Sequence, residues 1–211
     1  MTPVLETQSL AIGDDHVALA ETVRKFAEQN IGPAVLRSYE APFVKGLAEL
    51  GFLGGEGFGF LETAIVLEEL GRACAPGPVL TTVWAASLLR LAGKDTGALE
   101  NGDEIGTVSL DGKYALCGAD AQVLIAPVGD DWVVSRDFTA APVESLDPPR
   151  PLAEITINSS EPLGHPHARG FVKAYAAALF AADLAGVAGW CVDTAASYAA
   201  DRKQFGRVIG Q

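Results

Sequence analysis

The chain of 211 residues is long enough to bury a sizeable core, and its length fits one or two domains. It has 15 basic and 27 acidic residues, and the net charge of -12 argues against nucleic-acid binding or a footprint on an anionic membrane. We find no apolar run of the roughly 18–20 residues that span a bilayer. The first six residues lack the basic segment of a signal peptide, so we expect a cytoplasmic protein.

Spacing of apolar residues by three and four predicts four helices in the first half of the chain. We expect them at 14–30, 42–50, 61–70 and 79–91. Asp14 or Asp15 would cap the first helix, and Pro33 would follow its end. Gly71 would cap the third helix, and Gly93 would close the fourth.

Residues 107–157 alternate short β-prone runs with turn signals, which predicts a small antiparallel β unit. The runs lie at 107–110, 114–117, 122–128, 132–135 and 154–157. Asp111-Gly112 and Gly129-Asp130 are expected to form hairpin turns. Pro148, Pro149 and Pro151 mark a stiff connector.

A long Ala-rich helix without proline is predicted for 171–202. Gly186 and Gly189 would let a neighbouring helix approach it closely. One face of this helix carries Phe171, Tyr175, Leu179, Ala182 and Gly186. The order of elements predicts an α+β fold class with a helical domain (1–97), a shortened β domain (98–162) and the start of a second helical domain (163–211).

Several familiar chemical signatures are not supported by the residue spacing. The glycine-rich run at 54–59 departs from G-x-G-x-x-G and follows a helix, so we interpret it as a loop. His165 and His167 lack a Cys or carboxylate at ligand spacing, and we expect a surface turn and no metal site. Glu68 and Glu69 diverge by about 100° on a helix and cannot serve one substrate.

Three cysteines are scattered along the chain and form no C-x-x-C pair. Their number and spacing predict neither a zinc site nor a disulfide framework. We therefore expect Cys74, Cys117 and Cys191 to be reduced and mostly buried thiols.

The most informative stretch closes the long helix with Asp201, Arg202, Lys203, Gln204 and Phe205, followed by glycine. Considered by itself, Arg202 could form a surface ion pair with Asp201 or act as a cation favourable to the helix C-terminus. It could also contact a specific ligand, because a net-acidic protein can bind a phosphorylated group through one local arginine.

From near Ser9 to Gln211 the chain resembles the acyl-CoA dehydrogenases, flavoproteins that desaturate acyl-CoA thioesters. The resemblance rests on L-A-E-L-G-F-L-G at 47–54, L-E-E-L-G-R at 67–72, A-P-G-P at 75–78, G-D-E-I-G at 102–106, L-D-P-P-R-P-L-A at 146–153 and R-K-Q-F-G at 202–206. The connector at 146–153 is similar to that of many actinobacterial-type members.

The resemblance implies that Arg202, Gln204 and Phe205 contact FAD bound mainly by a neighbouring subunit. In the family this corner reaches the diphosphate and adenosine end of the cofactor. Arg202 would offer bidentate donors to the diphosphate. Gln204 would add an amide contact, and Phe205 an apolar wall.

The chain also departs from the family pattern in the parts that hold the flavin ring. The T-E-P-x-A-G-S-D loop is missing between Leu110 and Asp111, and the N-G-x-K segment is missing after Cys117. The acid and arginine usually found on the long helix correspond to about Ala174 and Ala177. In most members the catalytic Glu lies beyond the position of Gln211, so no catalytic residue is assigned here.

These features imply a degenerate subunit of a heteromeric, FAD-dependent acyl-CoA dehydrogenase. Its partners would be a second dehydrogenase subunit, an acyl-CoA substrate and an electron-transfer flavoprotein. The chemistry would be α,β-desaturation, in which a carboxylate removes the α proton and flavin N5 takes the β hydride. Heteromers of this kind occur in steroid side-chain degradation. The alternative is a non-catalytic structural or acyl-CoA-binding paralogue.

Overall fold

A computed structural model describes residues 11–32, 41–55, 58–164 and 169–210. Pro33, His165, His167 and part of the glycine-rich loop lie outside the described residues. The helices are α1 (Asp14–Asn30), α2 (Ala41–Glu49), α3 (Phe60–Arg72), α4 (Val79–Leu91), α5 (Gly97–Glu100) and α6 (Arg169–Asp201). The strands are β1 (Gly106–Val108), β2 (Tyr114–Leu116), β3 (Val123–Val128), β4 (Asp131–Val143), β5 (Leu152–Pro162), β6 (Lys203–Gln204) and β7 (Arg207–Val208).

The four predicted N-terminal helices are all present, but the start of α1 differs from the prediction. Gly13, and not an aspartate, is the capping residue of α1, and its N–H donates to Nδ1 of His16 at 3.0 Å. Asp14 and Asp15 lie inside the first turn. Their negative charges are favourable there because the helix N-terminus carries partial positive charge.

Helices α3 and α6 cross with their backbones in contact, and glycines make this possible. A Cβ atom at Gly71 would lie 2.1 Å from the carbonyl oxygen of Asp183, and one at Gly186 would lie 1.9 Å from that of Glu68. The prediction that Gly186 and Gly189 admit a neighbouring helix is confirmed. The prediction that Gly71 caps α3 is wrong, because Gly71 lies inside the helix and serves the crossing.

The sheet is mixed and curled, with strand order β1-β3-β4-β5-β2. The predicted hairpin at Gly129-Asp130 joins β3 to β4. The prediction of a wholly antiparallel unit is wrong, because β1 pairs with β3 in parallel. Asp111-Gly112 is not a hairpin turn, since β1 and β2 lie at opposite edges. These edges meet where the hydroxyl of Thr107 donates to the carbonyl oxygen of Leu116 at 2.7 Å.

One hydrophobic core connects the helices with the sheet. It draws on α3 and α4, on the inward face of the sheet and on the first half of α6. Its most buried large residues include Leu67, Leu88, Leu99, Ile125, Leu163 and Leu179. Helix α4 lies at its centre and is buried on every side from Val79 to Leu89. A second core packs α1 and α2 against α3 and α4. The division of the chain into three domains stays a prediction.

The second half of α6 is largely uncovered in the described structure. All residues from Trp190 to Ala200 are exposed except the half-buried Ala199. Helix α6 is long and apolar enough to cross a membrane by length and composition, which corrects the expectation that no such run exists. Core helices of globular proteins meet the same criterion, and Leu179 on α6 is fully buried in the protein core.

The cysteines are free, but their burial differs from the prediction. Cys117 is buried, whereas Cys74 and Cys191 are exposed. Cys191 is exposed because it lies on the uncovered part of α6. Cys74 follows the end of α3 in a left-handed conformation with φ 51°.

Candidate functional site

A two-residue hairpin follows the end of α6. Strands β6 and β7 pair with Lys203 opposite Val208 and Gln204 opposite Arg207. The turn residues Phe205 and Gly206 have φ values of 52° and 78°. Two successive positive φ angles are the signature of a type I′ turn, which matches the twist of a tight hairpin.

Backbone hydrogen bonds fix this hairpin against the last turn of α6. The N–H of Arg202 donates to the carbonyl oxygen of Tyr198 at 2.9 Å, and the N–H of Gly210 donates to that of Ala199 at 2.9 Å. The N–H of Ile209 donates to the carbonyl oxygen of Arg202 at 2.9 Å, which extends the pairing beyond the two short strands. The hairpin therefore has a defined position relative to α6.

The structure brings Arg202, Gln204 and Phe205 together on this corner. All three are exposed, and Phe205 is 100% exposed. A bulky residue at positive φ is strained, and such strain often accompanies a functional constraint. Within the described chain the Arg202 side chain forms no ion pair, so the pairing with Asp201 considered from the sequence is not formed. Arg202 still lies where the helix dipole favours a cation.

The segment after β1, where the flavin loop is missing, forms a turn closed on itself. The carboxylate of Asp111 accepts hydrogen bonds from the N–H groups of Lys113 and Tyr114 at 2.8 and 2.9 Å. The N–H of Gly112 donates to the hydroxyl of Ser109 at 2.9 Å. Because these backbone amides are used within the turn, they do not fit a role in holding a flavin ring. The exposed corner with Arg202, by contrast, fits a diphosphate.

The chain at Cys117, where the second flavin-binding segment is missing, also forms a compact turn. Cys117 lies in a left-handed conformation with φ 54°, and a short 3₁₀ turn follows at Gly118–Asp120. The N–H of Cys117 donates to the carbonyl oxygen of Pro151 at 2.5 Å. Burial raises the pKa of the Cys117 thiol to about 12, so the group stays protonated and unreactive near neutral pH.

Comparison with known proteins then identifies the family. Residues 13–96 match the family model for the N-terminal domain of acyl-CoA dehydrogenases. The chain is 34% identical over 217 aligned positions to the acyl-CoA dehydrogenase IpdE2 of Mycobacterium tuberculosis, a match that covers 93% of this chain and 67% of that protein. The chain belongs to the acyl-CoA dehydrogenase family. Other curated relatives are matched over about half of their length or less.

Solved structures of acyl-CoA dehydrogenases share the fold. The chain superimposes on a structure described as the Tcur3481-Tcur3483 steroid ACAD G363A variant with a TM-score of 0.81 and 22% identity, covering 96% of this chain and 71% of that one. The ChsE4-ChsE5 complex from Mycobacterium tuberculosis gives a TM-score of 0.81 at 20% identity, covering 97% and 71%. The α+β fold class predicted from the sequence is confirmed.

The positions that the resemblance assigned to the usual acid and arginine of the family lie at exposed positions of α6. Ala174 and Ala177 are both exposed, and neither can exchange a proton. The buried acid of α6 is Asp183, which is 4% exposed. It accepts two hydrogen bonds from Arg150, at 2.7 and 3.0 Å, so it is committed to an ion pair.

The Arg150–Asp183 ion pair joins the proline connector to α6 and was not predicted from the sequence. The guanidinium of Arg150 also donates to the carbonyl oxygen of Ala75 at 3.1 and 3.2 Å, which ties the proline connector to the end of α3. Burial acts to lower the pKa of Arg150, but the hydrogen bond and charge of Asp183 outweigh it and raise the pKa overall. No local signal predicts a contact between residues 33 positions apart.

Two further arginine–carboxylate pairs line a cleft of about 380 Å³ between α1, α3 and α6. Arg24 forms a bidentate pair with the buried Glu69, at 2.7 and 2.9 Å. Arg72 pairs with Asp193 at 2.6 Å. Because both arginines are neutralised by carboxylates, the cleft does not offer a cationic site. In the part of the chain that the structure describes, no group of acids, histidines and cysteines could hold a metal ion.

Proposed function

We propose that this chain is a subunit of a FAD-dependent acyl-CoA dehydrogenase, in which it presents the corner formed by Arg202, Gln204 and Phe205 to a cofactor held mainly by a second dehydrogenase subunit. Family membership supports an oxidoreductase. The observation that carries the proposal is the fixed hairpin that exposes Arg202 and Phe205 at the uncovered end of α6. The flavin, when bound in such a complex, supplies the redox chemistry of α,β-desaturation.

The residues of this chain would bind and position the cofactor. Arg202 offers paired donors to a diphosphate, and its lack of a described carboxylate partner leaves those donors available. Gln204 would donate its side-chain amide, and Phe205 would exclude water from one side. The catalytic base would come from the partner subunit or from the part of the relatives' length that this chain does not cover.

A heteromeric assembly and a steroid acyl-CoA substrate are part of the same proposal. One structural neighbour is a complex of two differently named chains, ChsE4 and ChsE5, and another carries the description steroid ACAD. Transfer of electrons to an electron-transfer flavoprotein and a cytoplasmic location complete the proposal.

A second candidate is a non-catalytic paralogue that keeps the fold and has lost the chemistry. The closed turn at Asp111 favours this alternative, as do the alanines at 174 and 177. Both candidates predict that the isolated chain binds FAD poorly. They differ in what happens once a complete subunit is present.

The test is co-expression of this chain with a complete acyl-CoA dehydrogenase subunit from the same organism. A flavin spectrum that appears in the complex but not in the isolated chain supports the dehydrogenase subunit. Loss of the charge-assisted contact in Arg202→Ala should weaken FAD binding by roughly 10- to 150-fold, as expected for about 1.5–3 kcal/mol. Arg202→Lys should restore only part of this affinity, because an ammonium cannot form the bidentate contact.

Lys203→Ala provides the matched control, since it removes a neighbouring charge from the same hairpin. Thermal unfolding of each variant would verify that the fold is intact. A complex without bound flavin favours the paralogue. Equal FAD affinities for wild type and Arg202→Ala would reject the cofactor role of Arg202.

A further inference from the structure

The two exposed cysteines, Cys74 and Cys191, lie on segments that contact each other. Arg72, two residues before the first cysteine, pairs at 2.6 Å with Asp193, two residues after the second. A Cβ atom at Gly189, two residues before Cys191, would lie 2.6 Å from the guanidinium of Arg72. The chain that leads into Cys74 therefore contacts α6 on both sides of Cys191.

The residues directly next to the first cysteine are also held near α6. On one side, the carbonyl oxygen of Ala75 accepts from the guanidinium of Arg150, and that guanidinium pairs with Asp183 on α6. On the other side, Ala73 lines the same cleft as Trp190, the direct neighbour of the second cysteine. Ion pairs and packing thus keep the end of α3 beside the start of the uncovered half of α6.

The first cysteine occupies a backbone position that helices usually give to glycine. Cys74 has φ 51°, and the N–H of Ala75 donates to the carbonyl oxygen of Leu70 at 2.9 Å. This hydrogen bond closes a helix around a left-handed residue, which is most often glycine. Glycine adopts that conformation without the steric cost that a Cβ atom brings. A thiol there is unfavourable for the backbone, which points to a use of the side chain.

We infer that Cys74 and Cys191 are a redox modification site, at which a peroxide forms a reversible disulfide that ties the end of α3 to the uncovered half of α6. The thiolate of Cys191 attacks the peroxide, becomes a sulfenic acid and releases water when the oxidant is hydrogen peroxide. The sulfur of Cys74 then attacks the sulfenic sulfur, forms the S–S bond and releases a second water. The two thiols give up two electrons and two protons in all, and a dithiol returns them when it reduces the bond.

The environments of the thiols set the order of these steps. Partial burial raises the pKa of Cys74, the charge of Arg150 counteracts this rise, and the charge of Cys191 adds to it. Cys191 is exposed on the uncovered part of α6, so it is the accessible first target, and Cys74 is the resolving thiol. Cys117 takes no part, because it is buried and its pKa is raised to about 12.

The test treats the full chain, at low micromolar concentration, with hydrogen peroxide and then blocks the remaining thiols with iodoacetamide. Mass spectrometry of unreduced peptides should find the peptides of Cys74 and Cys191 joined to each other. Only the thiol of Cys117 should remain free of the three. Dithiothreitol should restore all three thiols, and the oxidised chain should run as a single chain on a non-reducing gel.

Matched variants assign the bond to its two sulfurs. Cys191→Ser should abolish it, and so should Cys74→Gly, which suits the left-handed backbone and therefore keeps the fold. Cys117→Ala is the control and should leave the bond unchanged. Four outcomes would overturn the inference: three thiols that stay free, Cys191 joined to Cys191 of a second chain, Cys191 oxidised to a sulfinic acid beside a free Cys74, or a bond that survives Cys74→Gly. None of these outcomes bears on the cofactor role of Arg202.

Discussion

Asp111 shows how one side chain organises the segment that replaces the flavin loop. Its carboxylate accepts from the backbone of Tyr114 and Lys113 and from the hydroxyl of Ser109. The hydrogen bond from Tyr114 is the largest cause of a lowered pKa for Asp111. The folded-state pKa thus lies below the unfolded value of about 3.9. The ionised form stabilises the fold above that pH, and this contribution is lost as the pH falls through the folded-state pKa.

We therefore expect Asp111→Ala to lower the free energy of unfolding at pH 7 by about 1 kcal/mol. The difference from wild type should shrink as the pH falls below about 4, where the wild-type carboxylate takes up its proton. Urea unfolding across this pH range measures both effects. Asp130→Ala, in the exposed turn before β4, is the control. A wild-type advantage that stays constant at low pH would contradict the role of the ionised carboxylate.

Among the contacts between elements, the crossing of α3 and α6 leaves the least room for an added side-chain atom. Gly186→Ala would place a Cβ atom 1.9 Å from the carbonyl oxygen of Glu68, which is backbone and cannot rotate away. We expect the two helices to separate and the free energy of unfolding to fall by roughly 1–3 kcal/mol or more.

Gly170→Ala is the matched control for this prediction, because the same substitution near the start of α6 meets no atom within 4 Å. Alanine is a better helix former than glycine, so this variant should be neutral or more stable by up to about 1 kcal/mol. Thermal or urea unfolding of the two variants distinguishes them. Similar stabilities would show that the close crossing is not needed.

The helices could be predicted from the sequence because their signals are local. Apolar spacing placed α4 at its observed bounds, and Gly93 at φ 69° ends it as expected. The role of Gly71 could not be predicted, since a glycine near a helix end resembles a cap, and only the position of Asp183 shows that it admits another helix. The parallel pairing of β1 with β3 was missed for the same reason, because Asp111-Gly112 has the local signature of a hairpin.

The candidate site could be predicted only from the resemblance to the family. Local propensity does not favour a type I′ turn at Phe205-Gly206, because a bulky aromatic residue is unusual at positive φ. The R-K-Q-F-G string nevertheless directed attention to Arg202, Gln204 and Phe205, and their cofactor role stays a proposal. The pairing of Gln204 with Arg207 required the register of β6 and β7, which no sequence signal provides.

For the whole molecule, the uncovered half of α6 predicts association. Leu184, Trp190, Val192 and Tyr198 are between 47% and 67% exposed. Large apolar side chains exposed along one helix segment in this way are typical of an interface. We expect the isolated chain to self-associate or to require a partner. Sedimentation velocity at micromolar concentration measures this directly.

Val192→Lys should weaken the association while leaving stability unchanged, because the side chain touches little of its own chain. Leu146→Lys is the control, since Leu146 is fully exposed on the connector and far along the chain from α6. A wild-type chain that sediments as a monomer would contradict the prediction. So would equal effects of the two lysine substitutions.

The shared core also sets the order in which the chain can fold as it is synthesised. Leu67 and Trp84 meet Val123 and Trp132 in this core, but Val172, Ala176 and Leu179 close it from α6. A growing chain that ends before α6 leaves one side of α4 open to water. Contacts between such distant positions form slowly, so the nascent chain passes through a stage with exposed apolar surface. Translation of α6 is therefore the step that covers this side of the core.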